Sequence, residues 1–206
     1  MKRSRFLRLS ALALTLIIAM TALTSCLESF KLVDGNLLDE KTGITYIGAP
    51  ICFEPAVLAA EPFAKCSKLK IELYEIEGQA REEWISEPYE GIGGVWYAEG
   101  IELPTLESFG ANLLYICVEK SITVALGTVS EQEDIDAIIS AFVDGEPCAI
   151  VQSGESYKLK FASDKYAGIY YNLIYVEGDD GENYIYDRTT QTCVNVGDVL
   201  LEYLPR

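Results

Sequence analysis

The sequence offers carboxylates, tyrosines, lysines and cysteines for chemistry, but it contains no histidine. Among its 206 residues, 32 are Asp or Glu and 13 are Tyr. The absence of imidazole removes histidine-based triads, histidine general bases and histidine metal ligands. Two carboxylates suffice for glycoside hydrolysis, so a carboxylate-dependent, glycosidase-like hydrolase is the enzymatic alternative. No motif selects a carboxylate pair, and P-loop, GxGxxG, GxSxG and HExxH motifs are missing. We therefore predict no catalytic residue, metal ligand or dissociable cofactor.

Five cysteines in the body of the chain are the next candidates: Cys52, Cys66, Cys117, Cys148 and Cys193. An odd number leaves at least one of them unpaired within a monomer. Cys117 and Cys148 lie in apolar, strand-like runs, where a cysteine behaves as a small buried hydrophobe. We expect mostly buried thiols. A disulfide between Cys52 and Cys66, the closest pair in sequence, is the alternative.

Aromatic residues define a candidate binding surface. Its members are Trp84, Trp96, Tyr170, Tyr171, Tyr184 and Tyr186. The two tryptophans lie in an irregular Gly- and Pro-rich segment, 78–112, and long loops often carry binding sites. A tyrosine has an apolar ring and a polar tip that can contact a sugar or a peptide. Cross-strand aromatic packing is the competing interpretation.

Hydrophobic periodicity predicts an α+β fold, mainly antiparallel β-sheet with one main amphipathic helix and one or two short helices. Residues 36–47 are typical of a hairpin with its turn at 39–43. Residues 131–144 place Ile135 and Ile139 on one apolar helical stripe, with Ser130 as the first residue of a capping box. The last third alternates as antiparallel strands. Its acidic loop, 178–182, suggests a hairpin turn rather than a calcium site.

Two turns share one pattern in which Asp stands first and Thr fourth, beginning at Asp39 and at Asp187. Asp and Thr side chains stabilise such turns through hydrogen bonds to the nearby backbone. Nothing outside the two turns aligns, so we interpret the similarity as convergent turn chemistry.

The first 26 residues have the pattern of an export signal. Four basic residues precede an apolar run at about 11–23, which is shorter than the ~20 residues of a membrane span. The run ends in Leu23-Thr24-Ser25-Cys26, which resembles the lipobox of bacterial lipoproteins. The resemblance implies that a diacylglycerol chain is attached to the Cys26 thiol, that cleavage occurs before Cys26, and that the new N-terminus is acylated, for example by palmitate. It also implies a protein anchored by lipid at the extracytoplasmic face of the cell membrane.

The predicted organisation is a signal peptide (1–25), a lipidated cysteine with a short tether (26–36) and a single acidic β-rich domain (37–206). Loss of the signal leaves 12 basic against 32 acidic residues, a net charge of −20. Such a charge disfavours nucleic acid and electrostatic adhesion to anionic lipid. We expect a non-catalytic surface lipoprotein that either binds a protein, peptide or glycan or contributes to the cell envelope. The alternatives are the hydrolase above and a regulator of a neighbouring membrane protein.

Overall fold

A computed structural model describes residues 27–88, 94–120, 122–150 and 154–204. The predicted signal peptide and the predicted lipid-bearing Cys26 lie outside these residues. Within the described ranges, no helix is both long enough and apolar enough to cross a bilayer.

Fifteen strands and three short or medium helices make up the described chain. The strands are β1 (Glu28–Val33), β2 (Asn36–Asp39), β3 (Thr45–Gly48), β4 (Phe53–Pro55), β5 (Ala64–Cys66), β6 (Ile71–Glu75), β7 (Trp84–Ser86), β8 (Val95–Ala98), β9 (Leu113–Glu119), β10 (Thr123–Val129), β11 (Pro147–Cys148), β12 (Gly154–Ala162), β13 (Ile169–Gly178), β14 (Asn183–Asp187) and β15 (Thr192–Asn195). The helices are α1 (Leu106–Phe109), α2 (Gln132–Val143) and a 3-10 helix (Leu201–Tyr203).

Seven strands of the N-terminal half close into a small barrel, in the order β1-β2-β3-β8-β7-β6-β5. All neighbours are antiparallel except the closing pair, in which Glu28 of β1 lies opposite Ala64 of β5 in a parallel ladder. Inward-pointing residues of these strands fill the barrel with an apolar core: Phe30, Leu37, Tyr46, Ala64, Cys66, Leu73, Ile85 and Ala98. Closure removes exposed strand edges, which are otherwise open to pairing with other chains.

The C-terminal half forms an eight-stranded sheet with the main order β10-β9-β12-β13-β14-β15-β11. Strand β4 is the eighth strand. It pairs with the first residues of β13, and β14 pairs with the last residues of β13, so β4 and β14 lie one after the other along the same edge of β13. One face of this sheet packs against Ile135, Ile138 and Ile139 of α2 and against Phe109 of α1. We call this the inner face and the opposite one the outer face.

Trp84 joins the barrel to the sheet. Its ring is 2% exposed and contacts Phe53 of β4 and Tyr166, with ring centroids 6.0 and 6.3 Å apart. Strand β7 alternates, so Ile85 points into the barrel while Trp84 points into the larger core of the sheet. One strand therefore contributes to both cores.

Two glycines allow the barrel and the sheet to approach closely. Gly78 (φ +89°) and Gly168 (φ +79°) both adopt the left-handed region, and a Cβ on Gly168 would collide with the carbonyl oxygen of Glu77. The Gln79 side chain donates to the Ala167 carbonyl at 2.7 Å across the same contact. The junction therefore depends on glycine for both conformation and space.

The predicted α+β class is wrong. Strands account for 46% of the structure and helices for 11%, and only α2 has seven or more residues. The prediction gave the helices too much weight, and it left β7 unrecognised in the segment 78–112, whose glycines and prolines interrupt short strands. In the structure β7 and β8 come from this segment and complete the barrel. A three- or four-residue strand is too short to show periodicity by itself.

The N-terminal boundary also differs from the prediction. Residues 28–33, expected to be a tether, form β1 and pair with both β2 and β5. The folded body therefore begins at Glu28 rather than near Leu37. Its first ladder includes Phe30, which is 3% exposed in the barrel core.

The helix and hairpin predictions match the structure in position but not in every detail. Helix α2 agrees with the prediction to within one residue at each end, but Glu131 is its N-cap and makes no side-chain capping bond, so the predicted box at Ser130 is wrong. The only capping box found in the described helices pairs Thr105 with Ser108 at α1. The hairpin of β2 and β3 is confirmed.

Candidate binding site on the outer face of the sheet

Strand alternation places two lysines on the outer face. Along β12, Leu159 and Phe161 point to the inner core, so Lys158 and Lys160 point the other way. They lie opposite Ile174 and Asn172 of β13, respectively. In a chain with twice as many acidic as basic residues, this face therefore brings two of the few lysines close together.

Glu54 of β4 is the centre of a buried polar network that also includes Lys158, Lys160 and Asn172. The two lysine Nζ atoms lie 2.6 Å from Glu54 Oε2 and Oε1, respectively. Asn172 donates through Nδ2 to Glu54 Oε2 at 2.9 Å. The side chain of Glu54 is 8% exposed. We call these four residues the Glu54 network.

Glu119 extends the network and balances its charge. Its Oε2 lies 3.1 Å from Lys158 Nζ, so two carboxylates face two ammonium groups. Burial by itself raises the pKa of Glu54, but hydrogen bonds from Lys158 and Lys160 outweigh burial and hold the pKa below its usual value. Glu54 is therefore a fixed anion and is unsuited to donating a proton near neutral pH.

Asn172 has an unusual environment within the network. It is 8% exposed, and its Oδ1 atom has no hydrogen-bond partner among the described residues. The amide orientation is set by Glu54, which as an anion can only accept and therefore requires Nδ2. A buried acceptor without a donor costs roughly 1–3 kcal/mol. This atom is the strongest sign that the site accommodates a further polar group.

A cleft of about 250 Å³ adjoins the network, with Asn172 and Lys158 among its lining residues. Tyr186 and Ile174 form the apolar part of the cleft wall. Glu119 adds a negative charge, and the exposed Arg188 adds a positive one. A second, broader depression of about 480 Å³ lies on the other side, where Glu54 and Lys160 line it with Tyr170 and Ile122. The Glu54 network thus lies between two depressions of the outer face.

The six predicted aromatic residues do not form one surface. Trp84 and Tyr171 are buried in the large core, and Trp96 is half-buried on the barrel, where its Nε1 donates to Glu87 Oε1 at 2.9 Å. The outer face receives the remaining three: Tyr170, Tyr184 and Tyr186.

These three tyrosines have different environments. Tyr186 lines the cleft and Tyr170 lines the second depression, where Lys160 Nζ lies 5.2 Å from the centre of its ring. Tyr184 instead donates to Asp180 Oδ2 at 2.6 Å, and this bond is the main reason that its pKa rises to about 12. Tyr184 and Tyr186 lie on the same face of β14, as the two-residue period of a strand requires.

The alternative considered for the cysteines, a Cys52–Cys66 disulfide, does not form. Cys52 belongs to the large core and Cys66 to the barrel core, and no disulfide joins any of the five cysteines in the described chain. Cys52, Cys66, Cys117 and Cys193 are buried as expected, whereas Cys148 is exposed. Burial raises the pKa of the Cys52 and Cys117 thiols.

Two acidic residues line the cleft, but one of them is committed to a turn. Asp187 accepts from Thr189 N at 2.7 Å and from Thr190 Oγ1 at 3.0 Å, and it is 3% exposed. The cleft therefore does not present a pair of available carboxylates, as the hydrolase alternative requires. In the described ranges, no cluster of three or more potential metal-ligating side chains occurs.

The turn at Asp39 uses the same bonds as the turn at Asp187. Asp39 accepts from Lys41 N at 2.9 Å and from Thr42 Oγ1 at 2.7 Å, and both aspartates are almost fully buried. The predicted shared turn chemistry is confirmed. The acidic loop 178–182 is the hairpin turn between β13 and β14, and Asp180 caps it by accepting from Glu182 N.

Sequence reasoning missed the Glu54 network altogether. Alternation in Tyr157–Phe161 could have placed the lysines on the wet face of a strand. Nothing local indicates that Glu54, 106 residues away from Lys160, lies between them. That proximity arises because β4 leaves the barrel half of the chain to join β13.

Comparison with known proteins adds no assignment. No protein-family model matches the chain, and no curated protein or solved structure is significantly similar to it.

Proposed function

We propose that this protein is a lipid-anchored, extracytoplasmic binding protein that holds a segment of a peptide in the outer-face cleft. The observation that carries the proposal is Asn172, which lines the cleft and whose buried Oδ1 atom has no hydrogen-bond donor in the part of the chain that the structure describes. A ligand that supplies an N–H or O–H group there would remove the cost of that unsatisfied acceptor.

The charges of the cleft favour a peptide over a polyanion or a neutral sugar. Lys158 and Arg188 provide positive charge beside the carboxylate of Glu119, and peptides carry both signs of charge along with amide donors. The strongly acidic body repels polyanions at long range. A volume of about 250 Å³ is below the ~300–1,000 Å³ of pockets for drug-sized ligands, so the cleft suits one or two residues of a chain.

The anchor in this proposal is the diacylglycerol on Cys26. Because β1 begins at Glu28, a lipid on Cys26 would hold the barrel directly at the bilayer surface. The cleft lies in the other half of the molecule, on the C-terminal sheet. The lipid would then keep the folded protein, and with it the binding site, close to the membrane.

The experiment uses the full protein reconstituted in lipid nanodiscs and immobilised for surface plasmon resonance. A pooled library of synthetic tripeptides is the ligand, and chitooligosaccharides form a parallel series. We expect binding by a subset of tripeptides, weakened about tenfold or more by Asn172→Ala, as expected for loss of one buried hydrogen bond.

Asn195→Ala is the matched control, because Asn195 is an exposed asparagine on the same face that bonds to Glu182. It should leave peptide affinity unchanged. If Asn172→Ala does not fold, Arg188→Ala, at the exposed rim of the cleft, replaces it as the variant expected to weaken peptide binding. Binding of sugars alone, no binding at all, or equal affinity for all variants would overturn the proposal.

A further inference from the structure

Cys148 and Cys193 are direct cross-strand neighbours. Strand β11 is an edge strand of two residues, and its pairing with β15 sets Cys148 opposite Cys193. Residues directly opposite in an antiparallel pair point to the same face, with Cα atoms about 4.5–5.5 Å apart. Disulfides span Cα distances of about 4.4–6.8 Å, so the backbone is already within bridging range.

The two thiols differ in accessibility. Cys148 is exposed at the sheet edge, whereas Cys193 is 2% exposed and packs with Val176 and Tyr184 on the outer face. An oxidant can reach the sulfur of Cys148, and only the neighbouring strand places a second sulfur next to it. This is the arrangement of an attacking and a resolving cysteine.

We propose that Cys148 and Cys193 form a redox-active cross-strand pair that closes to a disulfide in the extracytoplasmic compartment. The oxidant is a disulfide, either a small molecule such as oxidised glutathione or the active site of an oxidoreductase. The inference stands independently of peptide binding in the cleft.

The chemistry is two thiol–disulfide exchanges. The Cys148 thiolate attacks one sulfur of the oxidant, forms a mixed disulfide and releases the other sulfur as a thiolate. The Cys193 thiol then loses its proton, attacks Cys148 Sγ and expels the second thiolate. The protein gives up two electrons and two protons, and the oxidant becomes two thiols.

The disulfide would fix a short edge element of the sheet. Helix α2 leads into β11 through Gly145, where a Cβ would collide with the side chain of Val194 of β15. A covalent bond at the adjacent pair therefore holds the C-terminal end of α2 against the sheet. It also uses two of the five cysteines and leaves three buried ones as thiols: Cys52, Cys66 and Cys117.

The test incubates the reduced full-length protein with oxidised glutathione, blocks remaining thiols under denaturing conditions and maps the peptides by mass spectrometry. We expect a peptide pair linked through Cys148 and Cys193, with Cys52, Cys66 and Cys117 alkylated. Cys193→Ser should instead leave a stable glutathione adduct on Cys148, because the resolving thiol is missing.

Cys66→Ser is the control and should form the same linked pair as the native chain. Cys148→Ser should take up no glutathione at Cys193, because that sulfur is buried. A persistent glutathione adduct on Cys148 of the native protein would overturn the proposal. So would a disulfide between Cys148 residues of two molecules.

Discussion

At the residue scale, Glu54 organises the outer face. Its two carboxylate oxygens are each bonded to a lysine, and Asn172 donates to one of them as well. Removing one charged side chain from a buried ionic network leaves a remaining charge desolvated without compensation, which lowers the free energy of unfolding. The position of both lysines and of the Asn172 amide therefore depends on this one carboxylate.

Glu54→Gln should lower the free energy of unfolding by about 3 kcal/mol or more, because buried Lys160 loses the charge of Glu54 while the partly exposed Lys158 keeps its ion pair with Glu119. Urea denaturation measures the change. Glu40→Gln is the control, since Glu40 pairs with Lys31 on the surface with both side chains more than half exposed, and should cost less than about 1 kcal/mol. Equal costs for the two variants would contradict the central role of Glu54.

The same network predicts a pH dependence. The pKa of Glu54 lies below its usual value, so folding favours the charged form and the network contributes fully above the pKa of the unfolded carboxyl. This contribution is lost as the pH falls through the folded pKa. Thermal unfolding should show the native protein and Glu54→Gln converging in stability on acidification below about pH 4.5. A gap that stays constant would contradict this.

At the scale of elements, the contact between the end of β6 and the start of β13 holds the two halves together. At this contact Gly78 lies against Ala167, and Gly168 lies against Glu77. The backbone N–H of Ala56 donates to the Gly168 carbonyl at 2.7 Å. Strand β4 runs from this contact along β13. The position of Glu54 on the sheet therefore depends on a junction that only glycine can form.

Gly168→Ala should destabilise the protein by about 2–4 kcal/mol, because the new Cβ adds a backbone clash to the cost of a positive φ. Gly181→Ala provides the matched control, since Gly181 has a similar φ of +83° but open space around it. That variant should cost only about 1–2 kcal/mol. Chemical denaturation of both variants gives the comparison, and equal costs would show that the junction tolerates the extra atom.

At the scale of the whole molecule, the proposed lipid anchor on Cys26 would set the position of the two halves relative to the membrane. A strand that starts at Glu28 and closes the barrel by pairing with β5 leaves only Leu27 between Cys26 and the folded body. Cys26→Ala should move the protein from the membrane to the soluble fraction after cell lysis, because the predicted acyl chains supply the membrane affinity.

Cys148→Ala serves as the control for this change, because it removes an exposed thiol without touching the lipobox. It should leave the protein in the membrane fraction. Retention of Cys26→Ala in that fraction would show that another part of the molecule binds the membrane.

The local features of this protein could be predicted from its amino-acid sequence. The alternation of β12 and β13, the apolar stripe of α2 and the matched turns at Asp39 and Asp187 follow from residues close together in the chain, because periodicity and turn bonding act over a few residues. The strands of the last third and the hairpin of β2 and β3 were predictable for that reason. The export and lipidation prediction for Cys26 also rests on local pattern alone.

The way in which these elements combine could not be predicted, because it depends on contacts made in the folded chain. Barrel closure through β7 and β8, the pairing of β4 with β13 and the Cys148–Cys193 register are contacts between segments far apart in the chain. Such contacts are selected by the burial of whole faces rather than by any short motif. The Glu54 network, the cleft beside Asn172 and the cross-strand cysteine pair exist for the same reason, since each joins residues that no spacing in the sequence connects.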